Sequence, residues 1–357
     1  MKIPAFVQHN IELKKYSTIQ IGGAALFYAP VKTISELKEA LNWSKNRQLQ
    51  TFILGGGSNS ILNETPYPGL VVHIQINSVT HLDKFSVLIG AGVDWGHLCT
   101  FAFNNELFGL ECLVGIPGTV GASPIQNVGA YGSEVSEVID EVHYIDLESL
   151  EEKKLSKDNC EFGYRDSIFK NRLKDKTVIT SVKFRFKSDR PSALKYKELT
   201  HLFEAKLREA QKTSDKLSNH DYLFYVRKCV VELRASKGMV LDPNDPCSIS
   251  LGSFFTNPIL NESQFEELKR IWPQKTIPSF ETSSGIKVPA AWLIEASGFT
   301  KGQSFGKIGI STKHSLALVN LGGASRSDLL QASQTIQSKV LQLTKIRLEI
   351  EPILMRV

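Results

Sequence analysis

The stretch Gly115–Gly132, "GIPGTVGASPIQNVGAYG", constrains this chain more than any other segment. It holds five glycines and two prolines and no charged side chain. Gly115, Gly118 and Gly121 recur at every third position, and Gly129 and Gly132 close the run. Pro117 and Pro124 exclude a long helix or a central strand, because proline lacks the N–H donor and clashes with the turn before it. A simple turn needs only about two to five residues. A longer, glycine-rich and uncharged segment lets main-chain groups approach something closely.

A second glycine run, "TFILGGGSNSIL", puts Gly55, Gly56 and Gly57 directly after a buried strand. Successive N–H groups in such a turn form a nest for an anion. No Gly-Lys-Ser/Thr follows, so this is not a Walker A loop. It is a poor dinucleotide fingerprint as well, since Ser60 stands where the third glycine belongs and Pro66 and Pro68 interrupt the helix that should follow. A hairpin or bulge turn is the alternative for this shorter loop. Gln126 and Asn127 in the longer one are amides able to read a flat heterocycle. Two such loops fit one long ligand with an anionic middle, and a dinucleotide such as FAD meets that description.

Composition narrows the class. The five cysteines are scattered and never form a CxxC pair, which reads as reduced, buried thiols with no metal or disulfide role. The formal charge of +5 is spread along the chain rather than gathered in an arm, so a nucleic-acid partner is not expected. No apolar run has the length of a membrane span, and the N-terminal residues lack a secretory h-region, which predicts a cytoplasmic protein without a membrane partner. The pattern of elements is α+β. "AALFYAPV" and "TFIL" read as strands around a helix in "TISELKEALNWSKNRQ", capped by Thr33 or Ser35. "SVLIGAGVDW", "VHYIDLES" and "TVITSVKFRF" are strands, and "WGHLCTFAFNNEL" is helical. The charged stretch "HLFEAKLREAQKTSDKLSNHDYLFYVRKCVVELRASKG" predicts a salt-bridged, solvated helix pair with a polar hinge near Ser214–Asp221. The chain closes on the helix "SRSDLLQASQTIQSKVLQLT" and the strand "KIRLEIEPIL".

"LGGGSN", "GIPGTVGASPIQNVGAYG" and "FGYRDSIFK", together with "GSFFTNP", resemble the UDP-N-acetylenolpyruvoylglucosamine reductases (MurB) over nearly the whole chain, from "STIQIGGAALFYAP" to "LEIEP". The resemblance implies an FAD-binding PCMH fold of the vanillyl-alcohol-oxidase type, with two α/β subdomains and a C-terminal α+β substrate domain. It divides the chain into FAD-binding subdomains over 1–75 and 76–188, a helical connection with a Tyr196 lid loop over 189–235, and a substrate-binding domain over 236–357. It implies noncovalent FAD, in keeping with the lack of a histidine in "ILGGGSN". The cofactor would be held by Gly55, Gly56, Gly57, Ser58 and Asn59 in one loop. In the other it would meet Ile116, Pro117, Gly118, Gly121, Ala122, Ser123, Gln126, Asn127, Gly129, Ala130 and Tyr131.

The reaction so implied is NADPH-dependent reduction of UDP-N-acetylglucosamine enolpyruvate to UDP-N-acetylmuramate, with hydride from flavin N5 and a proton from the protein. The chemistry needs a cation for the developing enolate, a positioned acid and anchors for a UDP-sugar. Arg165 would clamp the carboxylate, with Tyr164 beside it; an internal pair with Asp166 is the alternative. Ser253 in "GSFFTNP" matches the family's proton donor, or else is a turn residue. Glu351 would assist the enolate, with Glu349 as fallback, or else both lie on a solvated strand face. Tyr196, Lys237 and Asn257 match substrate contacts; Arg234 is a further candidate, and His314 reads as structural. Two departures stand out: a long segment between Tyr196 and Lys237, and Phe280 where a second lid tyrosine is expected. Small-molecule partners and a monomer complete the expectation.

Overall fold

A computed structural model describes residues 2–191 and 193–356. The chain forms two compact units, and their boundaries cut across the linear division above. One comprises residues up to Ile11, Ala25–Gly57 and Tyr67–Ser236; the other comprises Glu12–Ala24, Ser58–Pro66 and the chain from Lys237. Two short N-terminal pieces therefore join the C-terminal unit. The cause is apolar: Ile19, Ile21 and Ile61 are buried in its core with Phe254, Phe255 and Leu293.

Among the described residues the first unit holds two large sheets and a two-stranded ribbon of Gly129–Ala130 and Ser133–Glu134. Strands Gln8–Glu12, Ala24–Val31, Tyr67–Ile74 and Thr51–Leu54 lie side by side in that order, and Tyr67–Ile74 runs parallel to both of its neighbours. Sequence reading missed Tyr67–Ile74, because Pro68 and Gly69 look like a turn. Proline is tolerated near the start of a strand, and the run behind it is buried almost continuously, as a central parallel strand requires. Helix Ile34–Asn46 covers this sheet with Leu37, Ala40, Leu41 and Trp43. Thr33 caps it: its hydroxyl accepts from Glu36 N–H, and the Glu36 carboxylate answers the Thr33 N–H. Such a cap stabilises by about 1 kcal/mol. The second sheet is antiparallel, in the order Glu152–Ser156, Ile139–Asp146, Thr177–Arg185, Ser86–Gly90 and Val79–His81.

The charged stretch becomes helices Lys197–Glu209 and Asn219–Ser236 with a 3-10 turn at Ser214–Lys216. Ion pairs Lys206–Glu232 (3.3 Å) and Lys212–Asp221 (3.2 Å) lace it. It is more than a solvated pair, however. Leu199, Phe203 and Leu207 meet Tyr222, Val226, Val230 and Leu233 over Phe108 and Cys112 and build a third core. The long segment between Tyr196 and Lys237 is thus a packed helical hairpin.

The second unit carries an antiparallel sheet of Ser250–Ser253, Ala317–Asn320, Ile308–Ile310 and Ser304–Phe305, with helix Arg326–Thr344 capped by Ser325. The closing strand is shorter than expected. Residues 346–349 alternate in burial, but ladder pairing is confined to a bridge at Ile350 and to Ile353–Leu354, which pairs with Ser60–Ile61. The bridge is made by Thr256 N–H donating to Glu349 O and Glu351 N–H to Phe254 O, and a side chain takes Leu348 O, to which Gln337 Nε2 donates.

All five cysteines are buried and free, and among the described residues no helix is long and apolar enough to cross a membrane. Burial pushes the phenols of Tyr67 and Tyr131 each up to about 12. A raised acid favours the folded state while it stays protonated. This contribution is whole below the unfolded value near 10 and is lost as pH climbs through about 12. The thermal midpoint should therefore fall between about pH 10 and 12, and less steeply in Tyr67→Phe. An unchanged slope in that variant would remove burial of Tyr67 as the cause.

Candidate active site

The two glycine loops meet. Gly56 and Gly118 lie backbone against backbone: a Cβ on Gly56 would stand 2.8 Å from Gly118 Cα and 3.1 Å from its carbonyl carbon. Thr119 flanks the contact, with its Oγ1 2.9 Å from the place of a Gly55 Cβ. The long loop is sewn to the segment that follows strand Ser86–Gly90, since Val120 N–H donates to Val93 O and Gly121 N–H to Ala91 O. Ala122 and Ser123 N–H are used within the loop, by Thr119 O and Val120 O. These amides are therefore scaffolding and cannot also serve a pyrophosphate. Among the described residues, no acceptor meets the N–H groups of Gly56, Gly57, Gly118 or Thr119. Gly57 is buried, so its open amide lies away from water. Clustered open amides without a charged side chain suit an anion held by main-chain dipoles. FAD, with its diphosphate, fits this donor set.

Asn127 departs from its expected role. It is fully buried with a left-handed backbone, φ 44°. Its amide donates to Glu134 Oε2 (2.7 Å) and Gly163 O (3.0 Å), and its oxygen accepts from Ser136 N–H (3.1 Å). The side chain is a clamp inside the protein and does not read a heterocycle. Gln126 beside it is half-buried, as are Ile116, Pro117, Gly129, Ala130 and Tyr131.

Asn127 ties the loop to the "GYRDSIFK" segment. There Gly163 and Asp166 close a two-residue turn by reciprocal hydrogen bonds of 3.0 and 3.2 Å, with Tyr164 and Arg165 at its tip. Arg165 is left-handed, φ 53°, a conformation that costs a residue with a Cβ about 1 kcal/mol or more. Its Nη2 donates to Gly129 O at 2.6 Å, and its guanidinium lies over the Tyr164 ring, 5.4 Å from the centroid. Asp166 looks elsewhere, with Oδ1 taken by Ser167 N–H and Asn171 Nδ2. The guanidinium is thus fastened to the glycine loop. Tyr196, at the start of its helix, packs edge-on against Tyr131, with ring centroids 5.3 Å apart. Arg234 is buried near Tyr131; burial lowers its pKa, and the Tyr131 phenol acts against that shift.

The second unit presents Ser253 on a β-bulge. Ser250 opposes Val319 and Ser253 opposes Ala317, so one extra residue is inserted. Gly252 takes it up at φ 68°, where a Cβ would meet no atom within 4 Å; the dihedral rather than crowding demands glycine. Phe254 and Phe255 follow, both fully buried, and fix the segment from below. Among the described residues the Ser253 hydroxyl has no hydrogen-bond partner. Phe255 bridges Ile350, and Glu351 N–H donates to Phe254 O at 3.0 Å, which sets Glu351 on the segment adjoining Ser253. Glu351 is half-buried, whereas the Glu349 side chain is 71% exposed next to Arg347. Asn257 Oδ1 accepts from Ala290 N–H at the start of a helix, leaving its amide N–H pair for a ligand. Lys237 is half-buried, right after helix Asn219–Ser236, and Ser58 and Asn59 are half-buried before strand Ser60–Ile61. His314 Nδ1 accepts from Leu316 N–H, a structural role. Phe280 is 54% exposed, with Lys287 Nζ 5.8 Å from its ring centroid.

Comparison with known proteins identifies the family and the fold. The profile of the FAD binding domain family matches residues 25–149, and that of the UDP-N-acetylenolpyruvoylglucosamine reductase C-terminal domain matches residues 243–355. The chain is 38% identical to the UDP-N-acetylenolpyruvoylglucosamine reductase of Thermobifida fusca, over 98% of each chain. It is 36% identical to the protein of the same name from Flavobacterium johnsoniae, over 97% of this chain and 98% of that one. The crystal structure of the Thermus caldophilus enzyme has the same fold, with a TM-score of 0.65 and 23% identity over 97% of this chain and 98% of that one.

Proposed function

Because the chain belongs to the UDP-N-acetylenolpyruvoylglucosamine reductase family, we propose that Arg165, Ser253 and Glu351 carry its reaction. The protein is an FAD-dependent oxidoreductase of peptidoglycan precursor synthesis, reducing UDP-N-acetylglucosamine enolpyruvate to UDP-N-acetylmuramate. When bound, FAD would supply the redox chemistry that links NADPH to the enolpyruvyl group. The open amides of Gly56, Gly57, Gly118 and Thr119 would hold its diphosphate.

The chain's own residues handle charge and the proton. The Arg165 guanidinium grips the substrate carboxylate and faces the negative charge that spreads onto it when the terminal methylene becomes a methyl. Ser253 Oγ–H gives its proton to the carbon that bears the carboxylate. A hydroxyl is a weak acid, so it serves only because the carbanion is strongly basic and the bulge holds the serine in place. Glu351 assists the enolate step from the segment that adjoins Ser253. Lys237 and the Asn257 amide take the substrate's diphosphate end, and Tyr196 covers the nucleotide. NADPH and the enolpyruvyl substrate take turns, giving ping-pong kinetics. The protein works in this reading as a cytoplasmic monomer on small molecules, without nucleic acid or membrane.

The observation that carries the proposal is the fastening of Arg165, in a strained backbone conformation, to Gly129 of the cofactor loop. Strain at a charged residue beside a cofactor loop is kept where position matters more than stability. Anaerobic titration tests it. NADPH should bleach the flavin band, and UDP-N-acetylglucosamine enolpyruvate should restore it. A reduced flavin that this substrate leaves bleached would sink the reading, and rapid reoxidation by oxygen alone would favour an oxidase on the same fold.

A further inference from the structure

We infer that Lys170 is a positioning residue for Arg165, its ammonium fixing the direction of the guanidinium by holding the Arg165 carbonyl. The inference rests on the role given to Arg165 above. Lys170 Nζ donates to Arg165 O at 2.7 Å. The other end of the same peptide group, Asp166 N–H, donates to Gly163 O at 3.2 Å. Both ends of one peptide plane are therefore held. Arg165 is left-handed, and relaxing it to a common conformation means rotating this plane about the Arg165 Cα–C bond or swinging the residue about φ. Either motion breaks one of the two bonds and pulls Nη2 away from Gly129 O. The lysine bond is charge-assisted and partly buried, the stronger kind.

Lys170 itself springs from a rigid turn. Lys170 N–H donates to Ser167 O at 3.1 Å, and Ser167 Oγ donates to Ile125 O at 2.6 Å. Ile168 and Phe169 are buried, and the Phe169 ring stands edge-on to Tyr144. A lysine anchored only five residues beyond Arg165 thus reaches back over the turn. Lys170 forms no ion pair among the described residues, and its ammonium is spent on this one main-chain oxygen.

The test uses flavin-loaded protein, anaerobic rapid mixing and calorimetry. In Lys170→Met, reduction by NADPH should stay within about twofold, while reoxidation by UDP-N-acetylglucosamine enolpyruvate slows about tenfold or more. The Kd of oxidised protein for UDP-N-acetylmuramate should rise severalfold, and Lys170→Arg should recover most of both losses. In an Arg165→Met background, Lys170→Met should add less than about twofold, because its effect runs through Arg165. Full additivity there, equal slowing of both half-reactions, or no slowing would overturn the inference. Should Lys170→Met fail to fold, Lys170→Gln, a shorter neutral donor, is measured instead, and unchanged reoxidation in it overturns the inference equally. If Arg165→Met itself leaves reoxidation unchanged, the role of Arg165 falls and this inference with it; if only Lys170→Met does, the inference alone falls.

Discussion

Ser253→Ala should leave reduction of the bound flavin by NADPH within about twofold and slow reduction of the enolpyruvyl substrate by ~10²–10⁴-fold. The asymmetry follows from where the proton is needed. NADPH gives up its equivalents without a protein acid, whereas the substrate carbon must be protonated. The alanine keeps the bulge, since the unusual dihedral belongs to Gly252 and the anchoring rings to Phe254 and Phe255. Fold and flavin content should therefore be those of the parent. Each tenfold loss corresponds to about 1.4 kcal/mol of transition-state stabilisation. Rapid mixing of each half-reaction separates the two steps, and equal losses in both would take the proton-donor role away from Ser253.

Gly56→Ala should strip the protein of FAD while leaving the two units folded. The new Cβ would stand 2.8 Å from Gly118 Cα, backbone rather than a yielding side chain, so the two loops must part. Gly56 is exposed, which spares the core. Prising the loops apart separates the open amides of Gly56 and Gly57 from those of Gly118 and Thr119. An anion held by four donors loses part of its set, and a charge-assisted hydrogen bond is worth about 1.5–3 kcal/mol. Loss of two predicts an FAD affinity lower by about 10²-fold or more. Flavin content after dialysis, with the circular dichroism spectrum as a fold control, measures this. A yellow, fully loaded variant would show that the loops do not act together on the cofactor.

Much of the local structure was legible in the chain. The helix at Ile34–Asn46 follows from apolar spacing and the Thr33 cap, and the alternation of Ile346 to Glu349 follows from a period of two. That period puts Glu349 and Glu351 on one face and does not tell them apart; in the structure the Glu349 side chain is 71% exposed and Glu351 half-buried. Arg165 was visible as a candidate, but its release from Asp166 was not, because Asn171 and Ser167 had to compete for that carboxylate. Tyr67–Ile74 was lost behind Pro68, since a central parallel strand draws its stability from two neighbours distant in sequence. Asn127 failed in the opposite sense: its composition suited a ligand, yet Glu134, Gly163 and Ser136 converge on it.

By itself, the sequence determined that two glycine-rich, uncharged loops exist, that strands and capped helices flank them, and to which family their motifs belong. These are local properties, set by backbone permissiveness, periodicity and capping within a few residues. Only the tertiary structure decided that the loops touch at Gly56 and Gly118, which of their amides remain open, and that Arg165 is held to Gly129. Each of those depends on the pairing of groups far apart in the chain. A backbone N–H carries no mark in the sequence of whether a distant carbonyl will claim it.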